Sequence, residues 1–187
     1  QEGLGLDHIN RIAHYNHFTG GGWNGFSMAS DTYRQLDAAD RRRSIVLVGP
    51  QVRLDNGGPV LERDGVTPLA IDTAITSINA ALDNQGARVY KYLLDPSRFN
   101  QNNGNDFHIF RLSGVMLDRA EALWRLGRTG EAVAILNQLR ARAYSPPQPF
   151  TGAITEQALL RERLAELMAE GKRRTDQIRL GAFLAPK

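Results

Sequence analysis

The stretch RERLAELMAEGKRRTDQIR, residues 161–179, sets Glu162, Glu166 and Glu170 four residues apart beside leucines at helical spacing. Two chemistries fit such a row. A pair of carboxylates is what glycoside hydrolysis uses, one group as acid and the other as base or nucleophile. Carboxylates also take bidentate hydrogen bonds from arginine and so brace one helix against another. Each like-charge pair four apart costs about 0.2–0.5 kcal/mol in an isolated helix, so the row calls for cations. Arg163 stands three residues from Glu166, Arg173 and Arg174 reach back to Glu170, and Arg140 and Arg142 lie one helical segment earlier. Nothing in the sequence supplies a cleft or separates two carboxyl pKa values. The expectation is therefore a bracing set of Glu162, Arg163, Glu166, Glu170, Arg140, Arg142, Arg173 and Asp176, on a face otherwise open to solvent.

A second grouping suits binding. Sugar rings present C–H faces that pack on aromatic rings, while their hydroxyls need amides and carboxylates in fixed directions. Tyr15, Asn16, Trp23 and Asn24, within YNHFTGGGWNGF, offer both chemistries on a glycine-rich and hence flexible backbone. Trp23, between Gly22 and Asn24, is the residue to expect at a ligand, whereas Phe26 is expected to pin the loop to the core. His8, His14 and His17 cluster near Asp7, and His14 and His17 share a face if the segment is helical. No carboxylate stands at a matching interval and no second histidine pair occurs, so no metal is expected. The run NQNNGND, ending at Asp106, lacks the alternating acids of a calcium loop and reads as an exposed turn. His108 is expected to be a surface or packing residue.

The elements that must position these groups fall in two stretches. Residues 1–105 are rich in Gly, Asn, Asp and Pro, with short apolar runs at 45–48 and 89–94, and read as mostly loop with scattered strands and short helices. Asp64-Gly65 suits a hairpin turn. Ile71, Ile75, Ile78 and Leu82 recur at helical spacing, marking a helix or a long excursion. Residues 106–187 carry helical periodicity with Gly and Pro at the junctions. The spacing predicts helices over 107–126, with Leu112, Met116, Ala120 and Leu123 on one face, and over 130–144, with Ala132, Ile135, Leu136, Leu139 and Ala143 inward. A third is capped by Thr155 and closed by Gly171, and a short fourth covers 173–183. The link between the first two is so short that they must form an antiparallel hairpin.

The chain has 187 residues, 42% hydrophobic residues, no cysteine and a net charge of +3. Its acidic and basic residues are interleaved, which argues against a nucleic-acid footprint. Disulfides, thiolate metal sites and a cysteine nucleophile are excluded. No apolar run approaches a membrane span, and the start QEGLGLDHIN has no leader pattern.

Two resemblances compete for the helical hairpin. Ala122-Leu123-Trp124-Arg125-Leu126-Gly127, followed by Gly130-Glu131-Ala132 and Ile135-Leu136, looks like one tetratricopeptide-type repeat. A single unit of that kind leaves its outer face bare. The longer match runs from Arg111-Leu112 through Ala120-Glu121-Ala122, Leu136-Asn137-Gln138-Leu139-Arg140-Ala141-Arg142-Ala143, Glu162-Arg163, Glu166-Leu167 and Glu170-Gly171 to Arg173, Asp176 and Arg179. This order and spacing resembles the C-terminal signature of the SusD/RagB family. Trp23-Asn24-Gly25-Phe26, Tyr33, Asp40-Arg41 and Lys91-Tyr92 look like that family's approach to the same helices.

The resemblance implies a mainly α, SusD-like fold, with a tetratricopeptide-like hairpin, C-terminal helices and a loop-rich N-terminal half carrying short strands. It implies a non-catalytic lipoprotein of the outer membrane, facing outward. Such a protein binds oligosaccharide or peptide and delivers it to a SusC-like TonB-dependent transporter, with no cofactor and no nucleic acid. Its membrane attachment would be an N-terminal lipid anchor absent from this chain. Family members are longer and begin with helical repeats, so the expectation is the C-terminal portion of such a protein. A tetratricopeptide-type adaptor that binds protein segments is the alternative.

Overall fold

The computed structural model describes residues 8–95 and 104–184. Within it the chain forms two compact units, one of residues up to 34 together with 45–107, the other of residues 35–44 together with 108 onward. The segment 35–44, which lies in the loop-rich stretch of sequence, thus belongs to the helical unit. Asp7 and residues 100–103 of the Asn-rich run lie outside the described residues.

The first unit is held by loops more than by regular elements. Helices α1 (His8–Ile12) and α2 (Ser30–Arg34) have five residues each. Strand β1 (Val46–Leu47) pairs antiparallel with β4 (Arg88–Val89), and β2 (Gly49–Pro50) pairs antiparallel with β3 (Ala70–Ile71). Two-residue strands bury too little to stand alone. Ile9, Ile12, Ala13, Phe18 and Leu94 make the core that anchors them, with Leu54 and Tyr90 packed at its edge. The Asp64-Gly65 turn does close a hairpin: Glu62 N–H donates to Thr67 O at 2.8 Å, Leu69 N–H donates to Val60 O at 2.9 Å, and Gly65 takes φ +72°.

The isoleucine series does not make a helix. The chain leaves β3 on an exposed excursion, with Ile78 and Leu82 in solvent. Gln85 Oε1 accepts from the backbone N–H groups of Thr76 and Leu82, both at 3.3 Å, and so closes the loop with a side chain.

The second unit is helical. A 3₁₀ turn, Arg41–Ile45, ends the 35–44 segment. Helices α3 (Leu112–Arg125) and α4 (Thr129–Ala143) form the antiparallel hairpin, turned by Gly127 at φ +75°. Then come α5 (Glu156–Leu167) and the short α6 (Arg173–Arg179). Thr155 caps α5, its hydroxyl accepting from Ala158 N–H at 3.1 Å. Ala120 and Ala132, both fully buried, let α3 and α4 approach closely. Leu117, Leu123, Leu136, Leu139, Leu159, Leu160 and Leu167 fill the space between the helices. Each such leucine contributes about 1.5–3 kcal/mol by leaving water.

Helix α3 begins five residues later than its periodicity suggests. Arg111 sits at the N-cap in extended conformation, with φ −145° and ψ 159°, its guanidinium held by Glu166 of α5 and by Glu170 just beyond it. Leu112 is consequently outside, 77% exposed, and Ser113 takes the inward position.

Candidate functional site

The surface that carries Tyr15, Asn16, Trp23 and Asn24 is fixed by backbone hydrogen bonding rather than left mobile. Five consecutive N–H groups, from Gly22 to Phe26, donate to carbonyls on or just after α1. Gly22 donates to Tyr15 O, Trp23 to Asn10 O at 2.6 Å and Asn24 to Ala13 O at 2.9 Å. Gly25 and Phe26 both donate to Arg11 O, at 2.7 and 2.9 Å. Gly22 is required for this approach, since a Cβ there would overlap the Ala13 and His14 carbonyl oxygens. Gly22 therefore serves close packing, and the loop that its glycines suggest is free has its N–H groups from Gly22 to Phe26 bonded.

Asn24 adopts φ +50°, a left-handed conformation that asparagine tolerates better than most residues. Both ends of its amide are engaged, with Nδ2 donating to Asp83 O at 2.8 Å and Oδ1 accepting from Arg88 Nη2 at 2.7 Å. Arg88 is fully buried and also donates to the carbonyls of Asp83, Gln85 and Gly86. Asn16 Nδ2 donates to Leu61 O at 2.9 Å and to Glu62 O at 3.1 Å. Both asparagines thus tie the loop to neighbouring segments. Tyr15 lies under the Arg63 guanidinium, whose carbon is 4.8 Å from the ring centroid.

Trp23 is 41% exposed and Phe26 58% exposed. The Arg11 guanidinium carbon lies 5.4 Å from the Trp23 centroid and 5.8 Å from that of Phe26. The Arg11 guanidinium thus lies within cation–π reach of both partly exposed rings. Phe26 faces solvent instead of pinning the loop, because the backbone bonds above already do so. The N–H pattern from Gly22 onward has no counterpart in side-chain types, so the reading by residue type passes over Arg11 and assigns Phe26 to the core.

His14 and His17 are fully buried in the same unit. His17 Nδ1 accepts from His14 N–H at 3.0 Å, and His14 Nδ1 accepts from Asn16 N–H at 3.3 Å. An Nδ1 that accepts leaves the proton on Nε2, so neither neutral ring offers a lone pair to a metal. Burial, then the His14 and Arg88 charges, pushes His17 down to about 4. Burial is also the main cause lowering His14. Among the described residues no group of three or more His, Cys, Asp or Glu is arranged to hold a metal.

The carboxylate row, Glu162 and Glu166 on α5 and Glu170 just beyond its end, lies in the second unit, and it is buried rather than solvated. Glu162, Glu166 and Glu170 are each more than nine-tenths inaccessible. Glu166 accepts from Arg111 Nη1 at 2.7 Å and from Arg42 Nη1 at 3.0 Å, and pairs with Arg142. Glu162 pairs with Arg140 and lies 3.5 Å from Arg42 Nη2, and Glu170 takes Arg111 Nε at 2.8 Å. Arg42 is itself held by buried Asp40, with Nη2 2.6 Å from Oδ2. Burial alone would raise Glu166, but hydrogen bonds from Arg111 and Arg42 override it and hold the group down at about 2. A carboxyl that stays ionised has no proton to give at neutral pH, and so cannot serve as a general acid.

The remaining bracing residues have other partners than the spacing suggested. Arg163 turns to Asp118, at 2.7 Å, and to Asp176, at 2.8 Å. Arg173 donates to Leu160 O at 2.8 Å and to Gln35 Oε1 at 3.3 Å. Buried Glu121 collects Arg125 and Arg179, at 3.0 and 2.8 Å. Arg42, Arg111 and Glu121 belong to the network and were not singled out for it. The run of three arginines at 41–43 was the available signal for Arg42.

Residues 11–185 match the model of the SusD family. Over 82 residues the chain is 42% identical to the starch-binding protein SusD of Bacteroides thetaiotaomicron, a match covering 44% of this chain and 14% of that protein. A SusD superfamily protein from Bacteroides fragilis shares the fold with a TM-score of 0.55 at 20% identity, over 90% of this chain and 31% of its own. Surface glycan-binding protein A from Bacteroides thetaiotaomicron, solved in complex with laminarihexaose, shares it with a TM-score of 0.60 at 22% identity, over 94% and 37%. The chain therefore spans about a third of those two structures and a smaller part of SusD.

Proposed function

The chain belongs to the SusD family, and from that premise we propose that it is part of a non-catalytic glycan-binding protein of the outer-membrane surface, delivering oligosaccharide to a SusC-like TonB-dependent transporter. Trp23 is the residue we assign to ligand contact. The observation that carries this is the open Trp23 ring, held beside Arg11 and Phe26 on a loop whose backbone is fully bonded. A rigid platform loses little conformational freedom when a sugar stacks on it, which favours affinity. Asn16 and Asn24 tie the loop to neighbouring segments through their amide bonds, and Tyr15 offers a second ring, beneath Arg63. The matched starch-binding and laminarihexaose-bound relatives support a glucan as the ligand class. Glu166, held ionised by Arg111 and Arg42, has no proton to give a leaving group, which supports binding without hydrolysis.

Isothermal titration with maltohexaose and laminarihexaose tests the proposal. One of them is expected to bind, and Trp23→Ala is expected to weaken it about tenfold, the loss of one stacking contact with its buried area. Unchanged affinity in Trp23→Ala would remove that residue from the site. Reducing ends released during incubation would refute a non-catalytic role.

A further inference from the structure

The turn that follows α1 is locked by two imidazoles. His17 N–H donates to His14 O at 3.1 Å, and His14 N–H donates back to His17 Nδ1 at 3.0 Å, closing a ring of bonds between the two residues. Asn16 N–H donates to His14 Nδ1 at 3.3 Å, and Asn16 Nδ2 ties the turn to Leu61 O and Glu62 O. Both imidazoles are fully buried. An accepting Nδ1 fixes the neutral tautomer with its proton on Nε2, so a second proton on His17 must go to Nδ1. There it would face the His14 N–H, donor against donor, inside the fold. The turn has to open before the ring can be charged.

The same turn carries the Trp23 loop. Ala13 O and Tyr15 O, on either side of His14, accept from Asn24 and Gly22 N–H. With Trp23 and Phe26 largely in solvent, the loop is held by these bonds more than by burial. Segments held in that way lie at the low end of local stability. The charges around the pair oppose a proton on balance. Arg88 is fully buried and makes no ion pair among the described residues, its Nη2 donating to Asn24 Oδ1 and Asp83 O. Burial lowers His14 most, Asp83 acts the other way, and Arg88 and Arg63 add to the lowering. Burial, then His14 and Arg88, hold His17 down at about 4. The Tyr15 ring meets His14 edge to face, with centroids 5.5 Å apart. Leu54 N–H reaches His17 O at 2.6 Å, and Arg53 and Asp55 beside it are paired with each other at 2.6 Å. Glu62 Oε1 accepts from Asn84 Nδ2 at 3.1 Å.

We propose that His14 and His17 form an acid-sensitive latch, in which a proton taken up at His17 opens the turn 14–17 and frees the Trp23 loop. Loss of glycan contact on opening rests on the reading of Trp23 as a ligand residue; the latch itself is read without ligand.

Hydrogen–deuterium exchange of the full chain, corrected for the intrinsic pH dependence of exchange, tests it. With His17 at about 4 in the closed turn and 6.5 in the open one, linkage raises the open population about thirtyfold between pH 7.5 and 5. Protection of the Trp23 and Asn24 amides should fall by that factor. The Tyr90 amide, bonded to Ile45 O at 2.7 Å in the same unit, should keep its protection. His17→Asn, whose Oδ1 accepts in place of Nδ1 and does not titrate, should hold the loop's protection constant. Nitrogen-15 ring shifts of the unchanged chain add a check that needs no variant, since His17 should carry its proton on Nε2 at pH 7.5. Loop protection that does not change with pH, a fall shared equally by Tyr90, a fall retained in His17→Asn, or a proton on His17 Nδ1 at pH 7.5 would each overturn the latch. A pH-dependent loop in a chain that binds neither maltohexaose nor laminarihexaose would remove the Trp23 reading and support the latch.

Discussion

Glu166→Gln is expected to destabilise the helical unit by on the order of 3 kcal/mol. The carboxylate is held at about 2 against an ordinary value of 4.5. At 1.36 kcal/mol per unit, that preference of the fold for the ionised form corresponds to about 3 kcal/mol above pH 5. A second route gives the same size, since removing one partner of a buried ion pair costs about 3–5 kcal/mol. Arg142, whose side chain is 59% exposed, can turn to water when its partner is lost, but Arg42, at 12%, cannot. The sign separates two physical pictures. Were the row a solvated face, Glu166→Gln would relieve repulsion from Glu162 and Glu170 and stabilise by a few tenths of a kcal/mol. Urea unfolding followed by Trp124 fluorescence, in a Trp23→Phe background, reads the difference. With a slope of about 1–3 kcal/mol per molar, the midpoint should fall by about 1–3 M. A midpoint that stays or rises would refute the bracing account of the row.

Acid should weaken the fold in two windows. His17 is held neutral by the fold, so its contribution is complete above its unfolded value of 6.5 and is lost as pH falls toward about 4. Glu166 follows between 4.5 and about 2. Thermal melts from pH 8 to 3 should show the first decline, and His17→Gln should flatten it. Gly22→Ala should cost more than about 2 kcal/mol by forcing the loop off the α1 carbonyls, and amide exchange at Trp23 should quicken with it. Asn24→Gly should lose the Asp83 and Arg88 bonds but relax at φ +50°, whereas Asn24→Ala loses the bonds and keeps the strain. Melting temperatures should therefore rank the unchanged chain above Gly and Gly above Ala, a difference of about 1 kcal/mol separating the last two. The reverse order would show that the backbone strain is negligible.

What the sequence discloses about this chain depends on how far away the deciding partner lies. Helix α4 was expected over 130–144 and occupies Thr129–Ala143, because its signals are local: Gly127 before it, Pro146 after it, apolar residues at helical spacing between. Thr155 announces α5 for the same reason. The start of α3 was misplaced because Arg111 is pulled out of helical conformation by Glu166 and Glu170, 55 and 59 residues away. The glutamate row itself was legible as a need for cations, and Arg140 and Arg142 were found because they sit one helix earlier. Its burial was not legible, since that rests on Arg42, 124 residues from Glu166. A charge row beside a leucine stripe has the same local pattern whether water or arginine lies opposite, and only the total count of cations the fold brings to it decides. Around Trp23 the order reverses, because the glycines there look like freedom when read by residue type and act as contact surfaces once α1 lies against them. In both places the residues that invite a functional reading are legible, and what holds them is supplied by backbone or side chains outside the local pattern, the nearby α1 carbonyls for the loop and distant Arg42 for the row.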